Sequence, residues 1–214
     1  MPAQRVSRNS PWHIVFVLDD SGSMSGEPAR QLNEAISHMI SEMELISQGN
    51  KPYFKLSFII FGSNYHVLCE EESEQKIDRA KVTSLAGDSG STDMTSALME
   101  AAALLKRRPG KPTDFDPFVF LLTDGNPDNR DSARKAAEAL RQLEVAAGRP
   151  RLIVLGLGDA VDMTFLSQLA TSSELARHLK NPRDLGKFFP AIGTFVGADG
   201  GAGAIEQTIA DIDI

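Results

Sequence analysis

Short runs of apolar residues alternate with amphipathic segments along most of this 214-residue chain. The runs 14–18 and 118–122 contain apolar residues only, which is typical of strands buried on both faces of a sheet. Between such runs, apolar residues recur at helical spacing, as in the segment that begins at Glu27-Pro28. Strands that alternate with helices favour right-handed crossovers between parallel strands. The chain is therefore predicted to be an α/β protein with a mostly parallel sheet and helices on both faces.

The pattern resolves into individual strands and helices. The predicted strands are 13–18, 54–61, 65–68, 118–122, 152–157 and 175–178, and the predicted helices are 27–48, 95–105, 131–147, 163–170 and 184–196. The second and third strands flank the short turn 62–64 and are predicted to pair as an antiparallel hairpin. The acidic run 70–74 is predicted to be a solvated face or loop.

The predicted domain occupies residues 12–197, with an N-terminal extension at 1–11 and a tail at 198–214. The stretch from Gly197 to Ala204 is nearly all Gly and Ala, which indicates a flexible leash for the last ten residues. Two interpretations of the tail stay open. It is either an unbound terminus or a source of carboxylates for a neighbouring copy of the chain.

Composition restricts which class of partner the chain could bind and in which cellular compartment we expect it. The chain has a formal net charge of −7, which disfavours nucleic acid and anionic membrane surfaces as partners. A single cysteine, Cys69, excludes an internal disulfide and a thiolate zinc site, and it favours a reducing compartment. The apolar runs fall far short of the ~18 residues that span a bilayer, and no signal peptide is recognisable. We expect a soluble, cytoplasmic protein.

Three oxygen-rich loops stand where an α/β sheet would bind a ligand. The first, Asp19 to Ser23, follows the first strand, and the third, Thr123 to Gly125, follows the fourth. The second loop, Gly90 to Asp93, precedes a helix. If the loops converge, they offer only oxygen donors, which suit Mg²⁺ or Mn²⁺ better than Zn²⁺. The candidate metal-site residues are Asp19, Ser21, Ser23, Thr92 and Asp124.

The spacing in the first loop also has a geometric reason. Residues two apart in an extended segment point the same way, so Asp19, Ser21 and Ser23 can face one ion while Gly22 lets the backbone bend. If one coordination position of the ion stays open, it would attract an acidic oxygen from outside, such as an Asp or Glu of a partner protein.

These loops resemble those of a von Willebrand factor A (VWA) domain in order and spacing. The matching segments are Leu18-Asp-Asp-Ser-Gly-Ser-Met24, Gly90-Ser-Thr92 and Leu122-Thr-Asp-Gly125. The family's metal-ion-dependent adhesion site (MIDAS) combines Asp-x-Ser-x-Ser with a Thr and an Asp. The resemblance implies direct ligation by Ser21, Ser23 and Thr92, with Asp19 and Asp124 near the ion, often through water.

The same resemblance implies the fold and a class of function. The fold would be three-layered and Rossmann-like, with a six-stranded sheet whose third strand is antiparallel at an edge. The function would be metal-dependent protein binding without catalysis, with Mg²⁺ as the favoured ion and Mn²⁺ or Ca²⁺ as alternatives. The compact size and the Phe188-Phe189 pair look most like bacterial TerY-type proteins of tellurium-resistance clusters.

Other interpretations of the same residues stay open. The Asp and Ser residues of these loops are also favoured helix caps, and Asp20 and Asp93 are predicted to be solvated, with Asp20 pointing away from Asp19. An enzyme would use Asp19 as a Mg²⁺-dependent phospho-acceptor, in a phosphatase or receiver-like domain. Against a phosphatase, Ser21 stands where an acid/base Asp is needed. Against a receiver, no lysine follows the fifth strand directly.

Overall fold

The computed structural model describes residues 11–47, 54–125, 127–158 and 161–180. Its sheet has six strands in the order β3-β2-β1-β4-β5-β6. All neighbours are parallel except β2 and β3, which pair antiparallel at one edge. The predicted fold class is confirmed. The strands are β1 (Trp12–Asp19), β2 (Phe54–Phe61), β3 (Tyr65–Ser73), β4 (Phe118–Thr123), β5 (Arg151–Leu157) and β6 (Ala176–Leu179).

Helices connect the parallel strands. They are α1 (Glu27–Ile46), α2 (Arg79–Val82), α3 (Met94–Arg107), α4 (Arg130–Arg141) and α5 (Met163–Leu169). Every residue of β1 and β4 is buried, so both faces of the central sheet are covered. This burial explains why these two strands are the most uniformly apolar runs of the sequence.

The centre of the sheet is held by stacked aromatic rings. Phe16 of β1 stacks on Phe58 of β2 and on Phe120 of β4, with ring centroids 4.9 Å and 5.5 Å apart. Since these rings belong to three adjacent strands, their packing supports the order β2-β1-β4. In the same register Leu18 lies opposite Leu122. The carboxyl ends of β1 and β4 therefore lie side by side.

Two predicted elements end five or more residues away from the observed end, and the short helix α2 is absent from the prediction. Strand β3 continues through most of the acidic run, and Glu74 just beyond it is buried, with its carboxylate accepting a hydrogen bond from the Phe54 amide at 3.3 Å. Backbone pairing with β2 outweighs the low strand propensity of this acidic segment. Helix α4 ends at Arg141, earlier than predicted, because Val145 and Gly148 form a tight bridge that reverses the chain.

Several predictions lie outside the described residues. These are the helix at 184–196, the leash at 197–204, the tail beyond it, and nearly all of the N-terminal extension. Within the part of the chain that the structure describes, no helix is both long enough and apolar enough to cross a membrane.

Candidate metal centre

Asp19 ends β1 and lies at the base of the candidate site. Its side chain is fully buried, and the carboxylate accepts a hydrogen bond from the Ser21 amide at 2.9 Å. The other carboxylate oxygen accepts one from the Thr123 hydroxyl at the end of β4. These two contacts hold the Asp19 carboxylate between the ends of the two central strands.

Beside it, three polar side chains form a chain of contacts: those of Ser21, Ser23 and Asp124. After Ser21 the chain makes a 3₁₀ turn at Gly22–Met24, which brings the two serine hydroxyls to 3.2 Å from each other. The Ser23 hydroxyl also donates to an Asp124 carboxylate oxygen at 2.8 Å. The first and third loops of the predicted site are therefore in contact through side-chain oxygens.

The loop that carries Thr92 is bound to the first loop and to Asp128, which lies just beyond the third loop. The Gly22 amide donates to the Gly90 carbonyl at 2.9 Å, which joins it to the first loop. The Thr92 amide donates to the Asp128 carboxylate, and the Asp128 amide donates to the Thr92 carbonyl, each at 3.0 Å. The structure thus brings together the three loops that hold all five predicted site residues.

Three acidic residues in or near these loops make hydrogen bonds that the sequence does not predict. Asp128, which the sequence analysis did not single out, is bound to the backbone of Thr92 through both its carboxylate and its amide. Asp93, predicted to be solvated, caps α3 by accepting from the Ser96 amide at 3.1 Å. Asp20 is also not solvated, since it is only 4% exposed, although its carboxylate does point away from the cluster as predicted. Acidic residues in turns are common, so no local pattern distinguishes these three from surface residues.

The electrostatics of the cluster favour a cation. Burial raises the pKa of the Asp19 carboxyl, and the Asp124 carboxylate raises it further, while hydrogen bonds from Ser21 and Thr123 oppose the shift. Among the ion pairs of the described residues, none gives Asp19 or Asp124 a basic partner. A buried carboxylate without a counter-charge is costly, and a divalent ion would supply that charge. The residues present therefore fit a hard cation.

The candidate site differs from most metal sites in that the majority of its donors are hydroxyl groups. Across the described segments, no group of three or more His, Cys, Asp or Glu side chains is arranged to hold a metal ion. The candidate site has two carboxylates, and its other donors are the hydroxyls of Ser21, Ser23 and Thr92. Neutral hydroxyl oxygens suit Mg²⁺ or Mn²⁺ and are poor ligands for softer ions.

The single cysteine and the buried histidine lie elsewhere. Burial raises the pKa of the Cys69 thiol to about 11, which leaves it a poor nucleophile. His13 stands near the start of β1, at the opposite end of the sheet from Asp19, and its Nε2 lies 2.8 Å from the Ser57 hydroxyl. Neither residue therefore belongs to the cluster at the carboxyl ends of β1 and β4.

Comparison with known proteins gives one matching family profile and several similar sequences. Residues 13–191 match the sequence profile of the von Willebrand factor type A domain. The inter-alpha-trypsin inhibitor heavy chain H4 of Homo sapiens is 28% identical over 180 residues, covering 81% of this chain and 19% of that protein. The chain therefore corresponds to a small part of this curated relative.

Solved structures share the fold at lower identity. Manganese-loaded TRAP protein of Plasmodium vivax superimposes with a TM-score of 0.62 at 24% identity, covering 88% of this chain and 73% of that one. Proximal thread matrix protein 1 from the mussel byssus, with a zinc-occupied MIDAS motif, superimposes with a TM-score of 0.64 at 15% identity, covering 89% and 48%. These likenesses establish a common architecture.

Proposed function

The chain belongs to the von Willebrand factor type A domain family, and from this premise we propose that it is a metal-dependent protein-binding module. In this proposal Ser21, Ser23 and Thr92 bind a divalent cation directly, while Asp19 and Asp124 stand close to the ion. The observation that carries the proposal is the contact between Ser21, Ser23 and Asp124 at the joined ends of β1 and β4. Mg²⁺ fits the donor oxygens best, and Mn²⁺ and Ca²⁺ belong to the same hard class.

The partner in this proposal is a protein that supplies a carboxylate to the ion. The direct donors are neutral hydroxyls, so the bound ion keeps a strong attraction for a further anionic oxygen. Ser23 is exposed, which places the outer side of the cluster in contact with solvent. The metal-loaded relatives described above support a divalent cation at this position of the fold.

Metal binding should stabilise the folded chain measurably. In a thermal melt, Mn²⁺ or Mg²⁺ at 100 times the dissociation constant is expected to raise the free energy of unfolding by about 2.7 kcal/mol. Chelation with EDTA should reverse the shift. A melting temperature that does not move with either ion at millimolar concentration would contradict the proposed function.

The phospho-aspartyl alternative makes an opposite prediction for Asp19. Its side chain is fully buried, and its two carboxylate oxygens each accept a hydrogen bond, from Ser21 and Thr123, so a phosphate donor has little access to it. Incubation with acetyl phosphate and Mg²⁺ should therefore leave Asp19 unmodified by mass spectrometry and ³¹P NMR. A receiver domain treated in parallel provides the positive control. Phosphate on Asp19 would favour the enzyme.

Three finer assignments rest on the sequence alone. We propose a domain spanning 12–197, a cytoplasmic location and a TerY-type role in bacterial stress or tellurium resistance. The single Cys69 supports a reducing compartment, and the Phe188-Phe189 pair supports the TerY likeness. Loss of tellurite resistance on deletion of the gene, restored by the parent and not by an Asp19→Ala variant, would test the last of these.

A further inference from the structure

Asp20 occupies the variable position of the Asp-x-Ser-x-Ser motif, and its carboxylate accepts three hydrogen bonds. One carboxylate oxygen accepts from the amides of Ala86 and Gly87, at 2.8 Å and 2.7 Å. The other accepts from the Ser89 hydroxyl at 2.7 Å. All three donors belong to one loop, residues 86–89, which lies between α2 and α3. Asp20 therefore binds a single segment with its whole side chain.

The backbone of Asp20 strengthens the same connection. Its carbonyl accepts a hydrogen bond from the Ser89 amide at 3.0 Å, and its amide donates to the Phe61 carbonyl at 2.7 Å. The residue thus joins the end of β2, the first loop of the metal site and the 86–89 loop. Because the carboxylate is turned toward that loop, it does not face the ion that Ser21 and Ser23 are proposed to hold.

The 86–89 loop is packed with almost no free space. Gly87 has a φ of +67°, and a Cβ there would lie 2.2 Å from the Ser25 nitrogen. On the other side, a Cβ on Gly62 would lie 2.3 Å from the Ser89 carbonyl oxygen. Only glycine permits these approaches, so the chain holds the loop against its neighbours at both points. Three residues beyond Ser89 stands Thr92, the proposed ligand.

We propose that Asp20 is a positioning residue of the metal site, which anchors the 86–89 loop so that Thr92 faces the same ion as Ser21 and Ser23. This inference rests on the proposed function. The physical reason is preorganisation, because a loop without regular structure would otherwise lose conformational freedom when the metal binds. Because the Asp20 hydrogen bonds form during folding, the loop has already lost this conformational freedom before the ion binds.

The chemistry of the anchor indicates which substitutions separate position from charge. Alanine removes all three acceptor contacts of the side chain. Asparagine keeps the oxygen that accepts from Ala86 and Gly87, and its NH₂ group can donate to the Ser89 hydroxyl, which also acts as an acceptor. Asparagine nevertheless removes the negative charge. Asp88, exposed in the same loop, offers a matched loss of one charge without loss of the anchor.

The test is the affinity for Mn²⁺, measured by calorimetry well below the melting temperature. Asp20→Ala is expected to weaken binding by about 10–100-fold, the usual effect of losing a residue that orients metal ligands. Asp20→Asn and Asp88→Ala are each expected to stay within about fivefold of the parent, because the anchoring hydrogen bonds persist. Equal weakening by Asp20→Asn and Asp20→Ala would show a purely electrostatic role and overturn the inference.

Two further measurements keep the test decisive. Hydrogen exchange at the Ala86 and Gly87 amides should accelerate in Asp20→Ala and stay slow in Asp20→Asn. If Asp20→Ala does not fold, Ser89→Ala removes one anchoring bond only and should give a smaller loss of affinity, and parent-like affinity in Ser89→Ala would then contradict the inference. Failure of the parent itself to bind Mn²⁺ would refute the proposed function. A parent that binds, with Asp20→Ala binding equally well, would refute this inference alone.

Discussion

Replacing Ser23 by alanine is expected to weaken Mn²⁺ binding by at least about 100-fold, since residues that only orient metal ligands already cost 10–100-fold when removed. The Ser23 hydroxyl lies 3.2 Å from that of Ser21 and donates at 2.8 Å to Asp124, so its loss removes a proposed ligand and the link between the two loops. Calorimetric titration with Mn²⁺ measures the affinity. Capture of an acidic partner protein should be lost with it and should also fail in EDTA.

The matched control is Ser25→Ala. Ser25 is exposed on the same turn as Ser23, but its hydroxyl lies outside the hydrogen bonds that connect the site. Both variants should melt like the parent without metal, since substitutions at exposed positions usually change stability by about 0.5 kcal/mol or less. Metal affinity that falls equally in both variants, or in neither, would contradict the assignment of Ser23 as a ligand.

Acidification is expected to destabilise the fold through His13, by about 3 kcal/mol between pH 6.5 and pH 4. Burial, with the Lys55 and Arg108 cations nearby, lowers the pKa of His13 from 6.5 to about 4, against a weaker opposing effect of Glu70. Between these two values the unfolded chain binds a proton that the folded chain does not. The contribution is fully present above pH 6.5 and is lost as pH falls toward 4.

Urea denaturation in EDTA at several pH values isolates this effect. His13→Gln removes the titrating group while keeping an amide that can contact the Ser57 hydroxyl, so the slope of stability against pH should become shallower in this range. His66→Gln makes the same imidazole-to-amide change at an exposed position of β3 and is the matched control variant. Identical slopes in the parent and His13→Gln would show that carboxylates, rather than His13, dominate acid sensitivity.

The prediction of the sheet succeeded where burial alone decides the pattern. Strands β1 and β4 lie inside the sheet with both faces covered, so their apolar runs and their limits are visible locally. The edge strand β3 was predicted too short, because its acidic half is stabilised by pairing with β2 and by the distant contact between Glu74 and Phe54. Contacts of this kind leave no periodic signal in the sequence.

The candidate site likewise has features that follow from local spacing and features that depend on long-range contacts. The spacing of Asp19, Ser21 and Ser23 determined which oxygens the chain can offer to an ion, because alternation along an extended segment is a local property. How the three loops are held together was decided only by tertiary structure. Asp20 and Asp128 reach donors 66 and 36 positions away in the chain, and no local pattern distinguishes such residues from acidic residues on the surface.

The sequence by itself thus determined the fold class and the chemistry of the donor set, since both follow from short-range spacing of residue types. Tertiary structure decided which loops touch and which carboxylates orient ligands rather than provide them. The physical reason is that a buried polar group needs a partner, and the partner's position depends on how the whole chain folds.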